Sequence, residues 1–459
     1  MSGRFHIRTF GCQMNQHDAE KMANLLHHEG LRPASDPEEA DLVLVHTCSI
    51  RDKAEQKLYS ELGALLRRKR YEPDLVVGVG GCVAQQEGEK LLRRFPELDF
   101  VFGPQNLVHL PSLVAKAQAR VRELRVDYDD DAYARFELPE LHPEYASPTP
   151  GRAFVTVMEG CDLFCAYCVV PRTRGREVSR ASRAILAEVD RLARRDTVEV
   201  TLLGQTVNAY GRRRPGRVDD EIPFGELIRR VGATPGIERV RFTSPHPAFV
   251  TPDLIEAFAE VPELCPHIHL PVQSGSTRVL SQMNRRYDRD QYLQIVEGLR
   301  RARPGLAVTT DIIVGFPGET REDFRDTLSL VREVGFVDSF SFKYSPRPGT
   351  PAERRGLGEI DPEEAQHRLE ELQALQGALT LSAHVKRVGE LVPVLVEGAS
   401  RRGGAQMSGR DPYNRVVNFG ADPPPAPGQI CDVRITVATP HSLLGAAAGA
   451  DTSGALARP

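Results

Sequence analysis

The sequence predicts an α/β protein with three folded parts, and three observations support that fold class. In residues 1–118, short apolar stretches alternate with helical patterns, which predicts an open parallel sheet with helices on its faces. Residues 151–380 repeat this alternation six times, which predicts a partial (β/α)6 barrel, smaller than the complete eight-unit form. Residues 383–445 contain short β-rich segments separated by glycine turns, which predicts a small β-barrel.

The first part is predicted from apolar strands that are each followed by a stretch of helical spacing. In one helix, Ala54, Leu58 and Leu62 recur every four residues and so share one face. The strands are predicted at 5–10, 42–46 and 75–79, and the helices at 18–29 and 50–69. A helix between successive strands predicts parallel pairing, because a parallel neighbour requires a long crossover connection.

The central part is predicted from six short apolar stretches with helical segments between them. The strands are predicted at 153–158, 197–203, 238–242, 267–270, 307–313 and 337–343. Helices are predicted, for example, at 182–195 and 321–334, and a longer one at 362–387 leads to the last part. Residues 119–150 are acidic and rich in proline, which predicts a linker, and residues 446–459 are predicted to be a disordered tail.

The composition excludes several classes of protein. The 459 residues carry a formal net charge of −4, and 41% are hydrophobic and 27% charged, which is near the average for globular chains. Wholesale disorder and a uniformly basic nucleic-acid binder are therefore excluded, whereas a local basic patch is not. No apolar run approaches the roughly 20 residues that span a bilayer, and the alternating start MSGRFHIRTF does not fit a signal peptide. We expect a cytoplasmic monomer without membrane contact.

Three cysteines lie close together directly after the first predicted barrel strand. Cys161, Cys165 and Cys168 form the pattern C-x3-C-x2-C in the segment MEGCDLFCAYC. A loop of this length can place three thiolates on three corners of a four-iron cluster and leave one iron open to a chelating molecule. A structural zinc ion is the alternative, but it would need four closed ligands, and no nearby Cys or His supplies the fourth.

Three further cysteines each follow a predicted strand of the first part. Cys12, Cys48 and Cys82 come directly after these strands, and the carboxyl ends of parallel strands lie at one edge of a sheet. Gly11 and Gly81 precede two of them and allow the backbone to approach a ligand closely. This placement favours a second metal cluster, although three inert buried cysteines are a common alternative.

Both cysteine sets lie in segments that resemble known families. The Cys161, Cys165 and Cys168 segment, with Tyr167 before the last cysteine, resembles the radical S-adenosylmethionine superfamily. This resemblance implies that a [4Fe-4S] cluster on these catalytic cysteines binds S-adenosylmethionine and releases a 5′-deoxyadenosyl radical from it. The segments TFGCQMN, HTCSIRDKAE and GCVAQQEGE resemble the amino-terminal domain of methylthiotransferases. That resemblance implies a second [4Fe-4S] cluster, which carries the sulfur to be inserted, on the three amino-terminal cysteines.

Other segments resemble the branch of the methylthiotransferase family that acts on isopentenyladenosine in tRNA. These segments are CVVPRTRGREVSR, LLGQTVNAYG, PVQSGS, DIIVGFPGET and FKYSPRPGTPA. The resemblance covers residues 4–440 and implies addition of a methylthio group to C2 of N6-isopentenyladenosine at position 37 of tRNA. Sister enzymes that act on threonylcarbamoyl-adenosine or on a ribosomal aspartate are alternatives, as is a non-enzymatic iron–sulfur sensor. His46 and Asp162 stand where the family usually has Asn, and both flank ligands rather than replace them.

Three polar residues at the carboxyl ends of barrel strands are candidates for binding S-adenosylmethionine. Gln205 follows the second strand, Gln273 follows the fourth, and Asp311 lies on the fifth. Loops at this end of such barrels carry function, so we predict that Gln205 and Gln273 hydrogen-bond the methionine or ribose part and that Asp311 also contacts the cofactor. A structural role in the loops is the alternative for each.

The last part resembles the TRAM domain, a small β-barrel linked to tRNA binding. Arginines in or beside its β segments are the predicted RNA contacts, with ordinary surface charge as the alternative: Arg401, Arg402, Arg410 and Arg415. Three arginines directly after the central cysteines are predicted to meet phosphate or the substrate base, with a solvated loop as the alternative: Arg172, Arg174 and Arg176. The partners implied are a tRNA that carries isopentenyladenosine 37, an electron donor and a sulfur source, and the sequence identifies neither of the last two.

Overall fold

The computed structural model describes residues 3–49, 52–128, 133–136, 138–140, 142, 149–212, 222–356, 358–401, 403 and 406–448. The predicted α/β class is confirmed, and the chain forms a parallel sheet domain, a partial barrel and a closed β-barrel in that order. None of the helices that the structure describes is both long enough and apolar enough to cross a bilayer.

The amino-terminal domain is a six-stranded parallel sheet with four helices. Its strands are β1 Arg4–Phe10, β2 Arg32–Pro33, β3 Leu42–Thr47, β4 Val76–Gly81, β5 Phe100–Phe102 and β6 Glu123–Arg125, in the order β2-β1-β3-β4-β5-β6. Its helices are α1 Gln13–His28, α2 Asp52–Lys69, α3 Cys82–Arg94 and α4 Leu110–Gln118. Every residue of β3 and β4 is buried, as expected for central strands that helices cover on both faces. Strand β6 lies in the segment predicted as a linker.

The central domain is an open barrel of parallel strands with helices outside. The strands and short β segments are β7 Arg152–Thr156, β8 Met158–Glu159, β9 Val178–Ser179, β10 Glu199–Leu203, β11 Arg239–Phe242, β12 His267–His269, β13 Ala307–Val314 and β14 Asp338–Lys343. The helices are α5 Val170–Thr173, α6 Ser182–Ala193, α7 Phe224–Gly232, α8 Pro252–Glu260, α9 Thr277–Gln282, α10 Arg289–Ala302, α11 Arg321–Val334, α12 Pro351–Arg354 and α13 Pro362–Val385.

Six of these strands pair in sequence order, which is the arrangement that the alternating pattern predicts. Strands β7, β10 and β11 form one parallel sheet, and β12, β13 and β14 form another. A bridge between Val240 and Leu264 joins the two sheets. On the outer side of the barrel, Val200 and Leu202 pack with the helices in the main apolar core. On the inner side, buried Arg241 pairs with buried Glu199 at 3.0 Å, so this interior is polar.

The carboxy-terminal domain is a closed five-stranded barrel that docks on the central one. Its strands are β15 Leu391–Ala399, β16 Gln406–Arg410, β17 Val416–Gly420, β18 Ile430–Ala438 and β19 Leu443–Ala447. Arg239 Nη2 donates to the carbonyl of Pro393, and Arg241 Nη2 donates to the carbonyl of Asp411, both at 2.8 Å. The domain is thus anchored at the amino-terminal end of the barrel strands. Strand β19 reaches into the segment predicted as a tail, and residues 449–459 lie outside the described residues.

Candidate active site

The second cysteine trio, Cys161, Cys165 and Cys168, occupies the loop that follows β8 at the carboxyl end of the barrel. The loop is held by backbone hydrogen bonds from Cys161 N to the carbonyl of Gly175 at 3.1 Å and from Cys168 N to the carbonyl of Cys165 at 3.0 Å. Gly160 begins the loop with φ 80°, and a Cβ there would lie 2.0 Å from the carbonyl oxygen of Arg176. Glycine is therefore required where the loop turns.

Cys161 and Cys165 of the second trio are buried, and Cys168 is partly buried. Burial raises the pKa of Cys161, and it raises the pKa of Cys168 to about 12. Arg285 Nη1 donates to Cys165 Sγ at 3.4 Å, and Thr206 hydrogen-bonds with Cys161 at 3.1 Å. Three thiols on one short loop match the donor set of a four-iron cluster, which binds them as thiolates. The donor set therefore fits an iron–sulfur cluster.

The first cysteine trio, Cys12, Cys48 and Cys82, gathers at the carboxyl ends of β1, β3 and β4. A hydrogen bond from Cys48 lowers the pKa of Cys12 to about 6, against the opposing effect of burial. Cys82 is the first residue of α3, and burial raises its pKa. A Cβ on Gly11, which has φ 147°, would lie 2.5 Å from Cys48 Cβ, so glycine permits this approach. The three cysteines thus lie at the carboxyl edge of the sheet, directly after the strands that precede them.

Some buried polar side-chain atoms near the first trio lack a hydrogen-bond partner within the described part of the chain. Thr47 Oγ1 and Ser49 Oγ flank Cys48, and Asn15 Nδ2 lies three residues after Cys12. Among the described residues, none of these atoms has a hydrogen-bond partner. Buried polar groups are nearly always hydrogen-bonded, and hydrogen bonds to cluster sulfur are a usual feature of iron–sulfur sites. The first trio also fits a cluster.

The alternative of a single metal ion is not supported at either trio. Within the described part of the chain, no three His, Cys, Asp or Glu side chains converge as ligands of one ion. A zinc site needs such convergence around a single atom. In a four-iron cluster each thiolate binds a different iron, so the three sulfur atoms do not need to lie around a single ion.

Arg174 is buried beside the first trio, and its prediction as a phosphate or base contact is wrong. Its side chain is only 3% exposed, and its Nη2 lies 2.5 Å from Oδ2 of Asp18 on α1, 156 positions away in sequence. Its charge also favours the thiolate forms of Cys12 and Cys82. Although burial opposes ionisation of Asp18, Arg174 and His46 hold the pKa of that carboxyl well below its usual range. Arg174 therefore belongs to the surroundings of the first trio.

The chain between the second trio and Arg174 is attached to the amino-terminal domain. Tyr128 Oη donates to the carbonyl of Arg172 at 2.6 Å, and Gln105 Nε2 donates to the carbonyl of Thr173 at 3.1 Å. Arg174 follows Cys168 by six residues, a length of chain that spans at most about 20 Å. The two trios therefore lie on either side of segment 169–175, in one region of the molecule.

Three family profiles match this architecture. The profile of the uncharacterized protein family UPF0004 matches residues 4–103, that of the radical SAM superfamily matches residues 155–331, and that of the TRAM domain matches residues 385–448. The first two matched segments contain one cysteine trio each.

Relatives match nearly the whole chain. The tRNA-2-methylthio-N(6)-dimethylallyladenosine synthase of Geobacter metallireducens is 51% identical over 440 residues, which cover 96% of this chain and 97% of the relative. The protein of that name from Acidovorax sp. is 47% identical over 448 residues, which cover 97% of each chain. The chain belongs to the tRNA-2-methylthio-N(6)-dimethylallyladenosine synthase family.

A solved structure shares the fold outside this family. The radical S-adenosylmethionine methyltransferase TsrM from Kitasatospora setae, solved with cobalamin and a [4Fe-4S] cluster bound, superposes with a TM-score of 0.55. The match covers 77% of each chain at 15% sequence identity. At this identity the likeness concerns the fold alone, and it agrees with a parallel sheet domain placed beside a radical SAM barrel.

The residues predicted to bind S-adenosylmethionine all lie at the carboxyl end of the barrel, but they differ in availability. Gln205 Oε1 accepts from the backbone N–H of Gly160 at 2.5 Å, so it supports the loop of the second trio. Gln273 is buried with φ 74°, and its backbone bridges to β13. Asp311 lies on the inner side of the barrel, with Oδ1 3.3 Å from His269 Nε2.

The predicted RNA-binding arginines differ in how far their side chains are exposed. Arg401 is exposed, and Arg402 lies outside the described residues. Arg410 pairs with Glu397 at 3.1 Å and keeps about a third of its side chain exposed. The side chain of Arg415 is only 10% exposed and lies against the ring of Tyr413, so its prediction as an RNA contact is not supported. A guanidinium held inside a loop cannot reach a phosphate.

Glu20, on α1 between the two domains, predicts a pH dependence of stability. Burial raises the pKa of Glu20 from 4.5 to about 8, beside His17 at 3.0 Å. The folded protein thus holds this proton more tightly than the unfolded chain does. The contribution of the protonated Glu20 carboxyl to the free energy of unfolding is therefore full below pH 4.5 and is lost as the pH rises towards 8. Glu20→Gln cannot ionise, and it should raise the free energy of unfolding at pH 8 by on the order of 3 kcal/mol.

This expectation can be checked by unfolding midpoints of the wild type and Glu20→Gln at pH 5 and pH 8. The gain in stability of Glu20→Gln over the wild type should be several times larger at pH 8 than at pH 5. Glu89→Gln is a matched control, because Glu89 is 77% exposed on α3. An equal effect of Glu20→Gln at both pH values would contradict the prediction.

Proposed function

We propose that this chain adds a 2-methylthio group to N6-isopentenyladenosine at position 37 of tRNA, as a radical S-adenosylmethionine methylthiotransferase. The relatives named above carry that activity in their names, and the radical SAM and TRAM profiles agree with it. The observation that carries the proposal is the placement of two incomplete cysteine sets on either side of segment 169–175. A reaction that needs both a radical and a sulfur atom requires two such sites close together.

The second trio would hold the [4Fe-4S] cluster that binds S-adenosylmethionine. When bound, this cofactor pair would supply the 5′-deoxyadenosyl radical, which can attack a C–H bond that no ordinary base deprotonates. The protein's own residues position it. Gln205 fixes the turn at Gly160, and Thr206 and Arg285 contact two of the thiols.

The first trio would hold a second [4Fe-4S] cluster, which would supply the sulfur. The low pKa of Cys12 and the buried charge of Arg174 favour anionic ligands at this site. Both features would also stabilise an additional sulfur anion. The sulfur source and the electron donor are separate partners that the proposal requires, and we take the enzyme to act as a monomer in the cytoplasm, where tRNA is modified.

The carboxy-terminal barrel would bind the tRNA backbone. Its anchoring by Arg239 and Arg241 gives it a defined position relative to the radical SAM barrel. Arg401 is exposed on this domain and would contact phosphate, as would the partly exposed Arg410 at the other end of the β15–β16 pair. Such contacts give affinity that falls with salt and does not depend on base sequence.

The proposal predicts the nucleosides found in tRNA when the gene is deleted. Mass spectrometry of digested tRNA should show loss of 2-methylthio-N6-isopentenyladenosine and accumulation of N6-isopentenyladenosine. The wild-type gene should restore the product, whereas a gene with alanine at Cys161, Cys165 and Cys168 should not. If the methylthio nucleoside persisted in the deletion strain, the proposed substrate would be wrong. Loss of a methylthiolated threonylcarbamoyl-adenosine instead would point to a sister activity.

A further inference from the structure

Two phenylalanines are exposed on β14, the last strand of the open barrel. Phe340 is 55% exposed and Phe342 is 41% exposed, although phenylalanine is usually buried. The ring of Phe340 meets the ring of His269 edge-on, with centroids 6.0 Å apart, so Phe340 points into the barrel. Phe342 lies two residues further along and therefore on the same side of the strand.

A polar wall adjoins this aromatic pair. In the sheet register, Phe340 is the neighbour of Asp311 and Phe342 is the neighbour of Ile313 on β13. Asp311 Oδ1 lies 3.3 Å from His269 Nε2, and the Nδ1 of the same histidine lies 3.0 Å from Thr309 Oγ1. The inner side of β12, β13 and β14 thus offers two stacking surfaces next to hydrogen-bonding groups.

The aromatic pair is both accessible and connected to the second trio. In the described part of the chain, no strand pairs with the outer edge of β14, so the barrel is open on this side. Ile313, the neighbour of Phe342, belongs to the same apolar cluster as Tyr167. Tyr167 lies between Cys165 and Cys168. A molecule stacked on the two rings would therefore lie between the open side of the barrel and the loop that carries the second trio.

We propose that Phe340 and Phe342 bind the target adenine and its isopentenyl group and so select tRNA that is already prenylated. The inference rests on the function proposed above. An enzyme that modifies a ring carbon must take the base out of its stack, and aromatic side chains replace that stacking. The isopentenyl group adds apolar surface that Phe rings can cover, while His269 and Asp311 face the polar edge of a purine.

The test compares the binding of two tRNAs that differ only in the isopentenyl group of nucleotide 37. Wild-type enzyme should bind the prenylated tRNA more tightly, and Phe340→Ala with Phe342→Ala should reduce that preference about tenfold or more, because the isopentenyl group loses the apolar rings that cover it. Phe→Leu at both positions should keep part of it, because leucine retains apolar surface. Tyr71→Ala is a matched control, since Tyr71 is an aromatic side chain 88% exposed outside the barrel.

A second measurement separates the target base from the adenine of S-adenosylmethionine. Formation of 5′-deoxyadenosine without tRNA should stay within about twofold of wild type in the double alanine variant, and its iron content should be unchanged. The inference is overturned if this variant keeps the full preference for prenylated tRNA. It is also overturned if cleavage of S-adenosylmethionine fails without tRNA, which would assign the rings to the cofactor. Wild-type enzyme that leaves prenylated tRNA unmodified would instead remove the proposed function, whatever the variants do.

Discussion

Cys165→Ala should abolish formation of 5′-deoxyadenosine, whereas Cys48→Ala should preserve it and abolish methylthio transfer. The two cysteines belong to different trios, one in the barrel loop and one at the edge of the amino-terminal sheet. Loss of a ligand should cost more than the roughly 10- to 100-fold that changes beside a metal site cost. Cys165→Ala should therefore lose both cleavage and transfer, because transfer needs the radical, whereas Cys48→Ala should lose transfer and keep cleavage near wild type.

Both steps can be measured in one anaerobic reaction with reductant, S-adenosylmethionine and prenylated tRNA. Iron analysis after reconstitution should show that each variant loses about half of the iron. Cys265→Ala is a matched control, because Cys265 is buried and belongs to neither trio. If Cys48→Ala and Cys165→Ala stopped at the same step, the division of labour between the two sites would be disproved.

Arg174→Gln should reduce methylthio transfer far more than cleavage of S-adenosylmethionine. The substitution removes the positive charge beside Cys12 and Cys82 and leaves the Asp18 carboxylate buried without its partner. Breaking a buried pair in this way costs about 3–5 kcal/mol of stability. Arg174→Lys keeps the charge but loses the planar fork, so it should restore only part of the activity.

Two comparisons separate the local role of Arg174 from its role in stability. The reduction potential of the first-trio cluster can be measured in a chain that lacks the three central cysteines, and Arg174→Gln should lower it. Adding Asp18→Asn to Arg174→Gln should recover stability but not transfer, because both buried charges are then gone. Arg93→Gln is the control, since Arg93 is 74% exposed on α3, the helix that begins at Cys82. An unchanged potential, or transfer restored in the double variant, would leave Arg174 with a structural role only.

Much of the fold was predictable because its signals are local. Strands β3 and β4 are continuous apolar runs, and the barrel strands alternate with helical spacing along the chain. Strands β5 and β6 were not predicted, since three residues are too few to show a period. Helix α1 begins at Gln13, whereas the sequence predicted a start at residue 18. The earlier start was missed because the first turn lacks apolar periodicity and a side-chain cap.

The site was predictable only in its ligands. A cysteine that directly follows a parallel strand must lie at the edge where the other strands also end, so sequence order alone placed each trio. No local pattern predicts the pairing of Arg174 with Asp18, which lies 156 positions away. The burial of Arg415 and the supporting contact of Gln205 depend equally on neighbours that spacing does not reveal.

The sequence by itself determined the fold class, the family and the positions of the two cysteine sets after their strands. Those properties depend on residue type, short-range period and the order of strands. Only the tertiary structure decided that one arginine is buried beside the first trio and that two phenylalanines stay exposed inside the barrel. The physical reason is that charge pairing and exposure depend on how separately folded domains pack. The residue pattern of a single segment does not determine that packing.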